Sequence, residues 1–243
     1  MAERVLSVVI PAYNEERFIG ALLSKVIAVD LGRFGVRKEI IVVDDHSTDR
    51  TAEIVRGFPD VVLKRQPRNG GKGEAVRAGL KLASGDYIII QDADLEYEPE
   101  DYVPMMAALL SDGTDAVYGS RYMRNADCGR LVSFVTSRHP SQSWPAYLGG
   151  RSLSLAALLC TGRYLTDTVT ALKLFNRDVI KPLRLETSGF ELDHEISAKL
   201  IARGLRIKEV PIRYFPRSKE EGKKIGLRDW FTALRTFYRF RHG

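Results

Sequence analysis

A mixed α/β fold, with a mostly parallel central sheet flanked by helices, is what this sequence predicts, and three observations predict it. Short, nearly all-apolar runs recur, among them "VLSVVIPAY", "EIIVVDD" and "DYIIIQDAD", and such runs suit strands buried on both faces. Most are followed by a segment of helical periodicity, so strand and helix alternate at short spacing over the first 120 residues. The runs also end in polar or acidic residues. That puts candidate chemistry outside the carboxyl ends of the strands, where open α/β sheets bind ligands.

Each element follows from its own residues. The first strand stops at Pro11; Asn14 is placed to cap the next helix, Glu15 and Glu16 suit its first turn, and Phe18, Ile19, Leu22, Leu23 and Val26 form its apolar stripe. "EIIVVDDHSTDRTAEIV" repeats the plan: a buried strand ends at Asp44 and Asp45, and Ser47, Thr48 or Asp49 caps a helix. "VVLKR" reads as a strand, "QPRNGGKG" as a loop and "EAVRAGLKLA" as a helix. Another strand, "DYIIIQDADLE", precedes a helix near Pro99 to Leu110 and the strand "DAVYGSR". Residues 122 to 150 lose periodicity and gather Pro, Ser and Gly, which predicts a long loop with one short helix at most. "RSLSLAALLC" is helical in pattern, and "ALKLF" and "RIKEVPIRY" are strands flanking a helix over "FELDHEISAKLIARG".

The 243 residues divide into a main domain over 1–215 and a basic loop with an amphipathic helix over 216–243. Hydrophobic residues make up 44% and charged residues 28%, an ordinary globular balance. No run of eighteen apolar residues predicts a membrane span, and the N-terminus lacks the h-region of a signal peptide. Cys128 and Cys160 lack metal-ligand spacing and read as free thiols of a reducing compartment. The net charge of +6 is uneven: residues 203 to 243 hold twelve Lys or Arg against four Asp or Glu, giving +8, so the rest carry −2. A basic tail on a nearly neutral body points to an anionic partner. No nucleic-acid-binding module accompanies the charge, so nucleic acid is not among the expected partners. From Leu227, the residues Trp230, Phe231, Leu234, Phe237 and Tyr238 form one helical face beside Lys224, Arg228, Arg235 and Arg239. Such a helix either lies at a lipid interface or packs on the protein's own core.

Asp92 and Asp94, at the end of a strand, project to the same side because side chains alternate with period two. Two hard oxygen donors so arranged suit Mg²⁺ or Mn²⁺ bridging to phosphates. Nearby, "RNGGKGEAV" offers adjacent glycines, a lysine and a helix start, all suited to an anion. Neither a nucleoside-triphosphatase phosphate loop nor the Gly-x-Gly-x-x-Gly turn of dinucleotide folds is present.

In order, "VVIPAYNEE", "IIVVDDHSTDRTAEIV", "NGGKGEAVRAGL", "GDYIIIQDADLEYEPE" and "GSRY" resemble the family-two glycosyltransferases of GT-A fold. "DADLEYEP", "TDTVTALKLF", "GFELDHEI" and the terminal "EVPIRYFPRSKEEGKKIGLRDW" look most like the dolichyl-phosphate mannose and glucose synthases and their bacterial polyprenyl-phosphate relatives. The resemblance implies that residues 1–215 are a catalytic domain of nucleotide-diphospho-sugar transferase type. It implies that Pro11, Tyr13, Glu15, Asp44 and Asp45 hold the base and ribose of a UDP- or GDP-sugar, with Lys72 near the nucleotide. It implies that Asp92 and Asp94, with Glu96, bind Mg²⁺ or Mn²⁺, and that Arg217 and Lys223 close over the diphosphate. It implies that Arg121 and Arg151 would grip the phosphate of a polyprenyl acceptor, and that the sugar would be transferred with inversion.

A phosphate acceptor is mostly dianionic at neutral pH and needs steering rather than deprotonation. An alcohol acceptor needs a base, for which Asp193 and Glu195 are candidates, each with a structural reading as a residue supporting the site from behind or lying on the helix surface. His46 reads as a turn residue; His139, His194 and His242 read as surface residues. The lipid acceptor implies a cytoplasmic protein, peripheral at the inner face of a membrane. Two alternatives stand beside this reading: the same donor with a saccharide or small-molecule hydroxyl acceptor, and a non-catalytic sugar-nucleotide-binding protein.

Overall fold

A computed structural model of the chain describes residues 3–111, 113–123, 144–216 and 227–242. Its centre is one seven-stranded sheet in the order β3-β2-β1-β4-β6-β5-β7. The strands are β1 (Arg4–Ala12), β2 (Val36–Asp44), β3 (Val61–Arg65), β4 (Tyr87–Ile90), β5 (Ala116–Ser120), β6 (Lys173–Asn176) and β7 (Ile207–Pro211). Only β6 runs against the rest, pairing antiparallel with β4 and β5. The helices are α1 (Ile19–Ala28), α2 (Thr51–Arg56), α3 (Lys72–Leu82), α4 (Tyr102–Leu109), α5 (Trp144–Thr161), α6 (Arg177–Ile180), α7 (Leu192–Ala202) and α8 (Leu227–Arg239).

The apolar runs are buried on both faces, as their composition predicts. Val8 and Ile10 of β1, Ile40 and Val42 of β2 and Ile89 of β4 point into one core layer, with Leu22 and Leu23 of α1 and Met105 and Met106 of α4. Val9, Ile41, Val43, Ile88 and Ile90 point into the opposite layer, against Val76 and Leu80 of α3 and Ile196 and Leu200 of α7. Alternation with period two thus splits each run between two layers and leaves no solvated face. The register aligns Pro11 with Val43 and Ala12 with Asp44, and β1 pairs with β4 through Val9 and Ile90. The ends of β1, β2 and β4 therefore form one rim.

Local starts differ from the sequence reading. α1 begins at Ile19 and Asn14 does not cap it. Instead the Asn14 side chain accepts the Thr48 N–H at 2.8 Å, and the Asn14 N–H donates to Ser47 Oγ at 3.0 Å. That loop-to-loop tie takes the oxygen a cap would have used. Asp49 does serve the start of α2, accepting the Thr51 N–H at 2.9 Å, while its other oxygen takes the Glu16 N–H. The described part of α5 already covers residues 144 to 150, inside the segment read as loop.

α8 packs on α5 and α7, with Phe237 fully buried in a cluster with Ala157, Ala198 and Phe240. The face read as one stripe is divided: Phe237 is inside, while Phe231 and Tyr238 are exposed. No described helix is long and apolar enough to cross a membrane.

Candidate active site

Among the described residues, three other than glycine have left-handed backbone, Asn14 (φ 54°), His46 (φ 65°) and Leu95 (φ 58°). They lie just beyond the ends of β1, β2 and β4. Strain of this kind is retained where the fold over-determines it, most often at functional sites. The sequence reading of His46 as a turn residue fits its conformation; its Nδ1 lies 3.2 Å from the Gln66 carbonyl.

Beside the β4 end opens a cavity of about 410 Å³ that brings together Lys72, Asp92, Asp94, Glu96 and Arg121 from the expected set. Asp94 Oδ1 accepts the Glu96 N–H at 3.2 Å, which folds the acidic turn back on itself. Glu96 accepts Tyr214 Oη–H at 2.9 Å, and the Phe215 N–H bonds to the Glu96 carbonyl. The chain beyond β7 is thereby stitched to the turn. Among the described residues no group of three His, Cys, Asp or Glu side chains is assembled to hold a metal. Asp92, Asp94 and Glu96 all line the cavity, and of the three Glu96 accepts the Tyr214 hydroxyl. Two carboxylates plus substrate phosphates is the usual protein share of a Mg²⁺ site. The fit is supported by a cation already seated there: Lys72 Nζ lies 2.8 Å from Asp92 Oδ1.

Lys72 also reaches Asp193 Oδ2 at 3.2 Å, and the other oxygen of Asp193 takes Lys173 at 2.9 Å. Lys173 is fully buried in β6 and donates as well to the Thr170 carbonyl. Burial by itself would lower the Lys72 pKa, but attraction to Asp193 and then Asp92 outweighs it and raises the pKa. For Asp193, burial is likewise outweighed, by Lys173 and Lys72, and its pKa is lowered. A carboxylate held ionised by two ammonium groups is a poor proton acceptor. Glu195 is also taken: it receives the Glu186 and Thr187 N–H groups, the Thr187 hydroxyl and Lys199. Both are buried, so the helix-surface reading of these two residues is corrected, and neither is placed as an open base.

Arg121 makes a two-point bond to Asp167, Nε to Oδ2 and Nη2 to Oδ1, both at 2.7 Å. Its guanidinium lies over the Tyr214 ring at 5.1 Å. Arg151 is 3% exposed and does not line the cavity. It sits against the Tyr122 and Tyr164 rings and donates to the Thr166 carbonyl. Both guanidiniums lie against the Tyr122 ring, Arg121 at 5.6 Å and Arg151 at 5.5 Å from its centroid, and of the two Arg121 lines the cavity.

The remaining expected residues lie along the rim. Asp45 accepts the Gly70 N–H at 2.9 Å and the Gly71 N–H at 2.7 Å, so it holds the glycine turn that starts α3. Asp44 is fully buried, accepts the Ser47 N–H at 3.0 Å and has Arg65 Nε 3.1 Å from its second oxygen. The Glu15 N–H donates to Thr51 Oγ1, Pro11 is half-buried and Tyr13 is exposed. Arg217 and Lys223 lie outside the described residues, as do Cys128 and His139.

His194 was expected on the surface and is buried. It lines the cavity and its ring meets Phe237 of α8 at 5.0 Å between centroids. Burial lowers its pKa to about 4, so it is neutral. The missed residues carried faint signals. A lysine inside the apolar run "ALKLF" must be either strand-edge or paired with a buried anion, and Lys173 is the second kind. Asp167 and Tyr214 stood in motifs quoted for the resemblance, without roles.

The glycosyl transferase family 2 model matches residues 7–181. A dolichol-phosphate mannosyltransferase of Pyrococcus furiosus is 31% identical over 96% of this chain, which spans 63% of that protein's length. A dolichyl-phosphate hexose transferase of Haloferax volcanii is 30% identical over 88% of the chain and 85% of its own length. Among solved structures, glucosyl-3-phosphoglycerate synthase of Mycobacterium tuberculosis, in complex with Mn²⁺, UDP-glucose and glycerol 3-phosphate, matches with a TM-score of 0.69 at 22% identity. That match covers 98% of this chain and 80% of the other. At that identity the likeness shows the fold, which is GT-A. With an acidic turn at the end of the fourth strand, a glycine turn before α3 and this match over most of the sheet, the chain belongs to glycosyl transferase family 2 and is a glycosyltransferase.

Proposed function

We propose that this protein transfers a hexose, with inversion, from a UDP- or GDP-sugar to a polyprenyl phosphate of dolichyl type, using Mg²⁺ or Mn²⁺, at the cytoplasmic face of a membrane. The observation that carries the reading is the cavity in which Asp92 and Asp94 stand beside two buried cations, Lys72 and Arg121. Asp92 and Asp94 would hold the metal, which when bound acts as a Lewis acid toward the departing diphosphate. Asp44, Asp45, Pro11, Tyr13 and Glu15 line the rim on the donor's base and ribose side. Lys72 contributes positive charge where the leaving group develops negative charge.

The acceptor side is supported by what the carboxylates do. Asp193 and Glu195 are committed to protein partners, so a nucleophile that is already anionic suits the site. Arg121, fixed by Asp167, offers its remaining donors and its charge to such an anion. The relatives from Pyrococcus furiosus and Haloferax volcanii, a dolichol-phosphate mannosyltransferase and a dolichyl-phosphate hexose transferase, support such an acceptor. A second reading rests on Glu191 and Asp229, which also line the cavity. With a hydroxyl acceptor, one of these would be the base.

The test is a matrix of UDP-glucose, GDP-mannose and UDP-N-acetylglucosamine against a short-chain polyprenyl phosphate and a panel of saccharides, with Asp94→Ala as control. Metal-dependent transfer to the lipid phosphate that disappears in Asp94→Ala is expected. Transfer to saccharides alone would favour the second reading, and undiminished transfer by Asp94→Ala would remove the metal assignment.

A further inference from the structure

The ammonium of Lys72 sits between two carboxylates of unequal freedom. Asp193 is buried on α7 and pinned by Lys173, which is itself fully enclosed. Asp92 faces the cavity at the end of β4, with its side chain 23% exposed against 7% for Asp193. Lys72 is the first residue of α3, with Phe190 near its ammonium at 5.7 Å from the ring centroid. Its four-carbon stem lets the charge move while the helix stays. A divalent ion on Asp92 would compete with an ammonium 2.8 Å from Oδ1 of the same carboxylate, because like charges that close repel in a half-buried site.

We propose that Lys72 is a resident counter-cation of Asp92 that a divalent ion must displace, and that Asp193 is the carboxylate that retains it. Two consequences follow. Metal without nucleotide has to break a half-buried ion pair, so it binds weakly. A nucleoside diphosphate supplies new negative charge for Lys72, so metal and nucleotide bind with positive coupling. Asp193 is then a positioning residue, acting on the metal through Lys72. The inference rests on the metal assignment to Asp92 and Asp94 made above.

The experiment measures Mn²⁺ affinity of the full chain by titration calorimetry and by the electron paramagnetic resonance of free Mn²⁺, with and without UDP or GDP. Lys72→Met is expected to bind Mn²⁺ on the order of tenfold more tightly without nucleotide, and to gain less from adding it. Asp193→Asn is expected to weaken Mn²⁺ binding in the parent chain and to have no effect in the Lys72→Met background. Where Asp193→Asn does not fold, because Lys173 loses its anion, Lys72→Met and Lys72→Gln decide alone. Unchanged Mn²⁺ affinity in Lys72→Met overturns the proposal. An Asp193→Asn effect of equal size in both backgrounds does so too, since it would be a direct field effect. Asp94→Ala separates the two levels: loss of Mn²⁺ binding there, with Lys72→Met unchanged, rejects only the role of Lys72. Full binding in Asp94→Ala rejects the metal assignment itself.

Discussion

Arg121 and Asp167 face each other through two parallel hydrogen bonds of 2.7 Å, with Asp167 fully buried and the arginine at the edge of the cavity. Asp167 also accepts the backbone N–H groups of Arg121 and Val169. The carboxylate therefore fixes both the guanidinium and the chain that carries it. Attraction to Asp167 outweighs burial and raises the Arg121 pKa, so the charge is permanent.

Asp167→Asn keeps the shape and removes the charge, leaving Arg121 buried without its anion. Breaking one side of a buried pair costs about 3–5 kcal/mol, and a misplaced catalytic cation costs on the order of 10²-fold in rate. Urea unfolding and transfer assays should show both losses. Arg121→Met/Asp167→Leu should recover much of the stability while transfer stays low. Full recovery of transfer in that double variant would remove Arg121 from the reaction.

Gly71 carries the turn before α3 at φ +88°, and a Cβ there would lie 2.5 Å from the Ser188 carbonyl oxygen. Its N–H is held by Asp45 and the next turn by the Gly73 N–H to the same Ser188 carbonyl at 2.7 Å. Gly71→Ala combines backbone strain with a clash against main chain. It is expected to cost about 2 kcal/mol or more, a fall of about 4–8 °C in Tm for a chain of this size. Gly162, at φ +75° with open space around it, carries strain without clash. Gly162→Ala should therefore lose clearly less, and equal losses would show that the approach to Ser188 does not matter.

The strands and their two-layer burial were legible because Val8, Val9 and Ile10 leave no polar position for solvent. The rim was legible because Asp44, Asp45, Asp92 and Asp94 follow such runs directly. What the sequence hid was partnership over distance. Nothing local ties Arg121 to Asp167, or Lys72 to Asp193 in a helix far along the chain. β6 inserts antiparallel between β4 and β5, and that crossover brings Lys173 beneath the cavity. His194 looked polar and exposed because α7 has apolar and charged residues interleaved; burial on every side, not amphipathicity, governs it.

That burial makes His194 a source of pH dependence. Its surroundings are Asp193, Lys173, Lys72 and Asp167, with Phe237 from α8, and its pKa falls from 6.5 to about 4. Below pH 6.5 the unfolded chain takes up a proton that the folded chain does not. Stability from this group is therefore present above pH 6.5 and lost as pH falls toward about 4, by about 3 kcal/mol in total. Replacing the ring by Phe removes the term. The difference in unfolding free energy between parent and His194→Phe should shift in favour of the variant as pH drops from 7 to 4.5. A difference that stays constant over that interval would mean that His194 is not held neutral.

The two faces of α8 separate residues packed in the core from exposed apolar ones. Phe237 is 0% exposed, whereas Leu159 on α5 and Phe231 and Tyr238 on α8 are 79%, 62% and 61% exposed. Arg228, Arg235 and Arg239 are exposed on the same helix. Apolar side chains flanked by arginines suit the headgroup boundary of an anionic bilayer. Phe237→Ala should cost about 3–5 kcal/mol in stability and leave vesicle binding by the folded fraction intact. Leu159→Ser/Phe231→Ser should leave Tm almost unchanged, since both sites are exposed, and should weaken flotation with vesicles containing anionic phospholipid. If that double variant floats as well as the parent chain, these exposed residues are not a membrane contact.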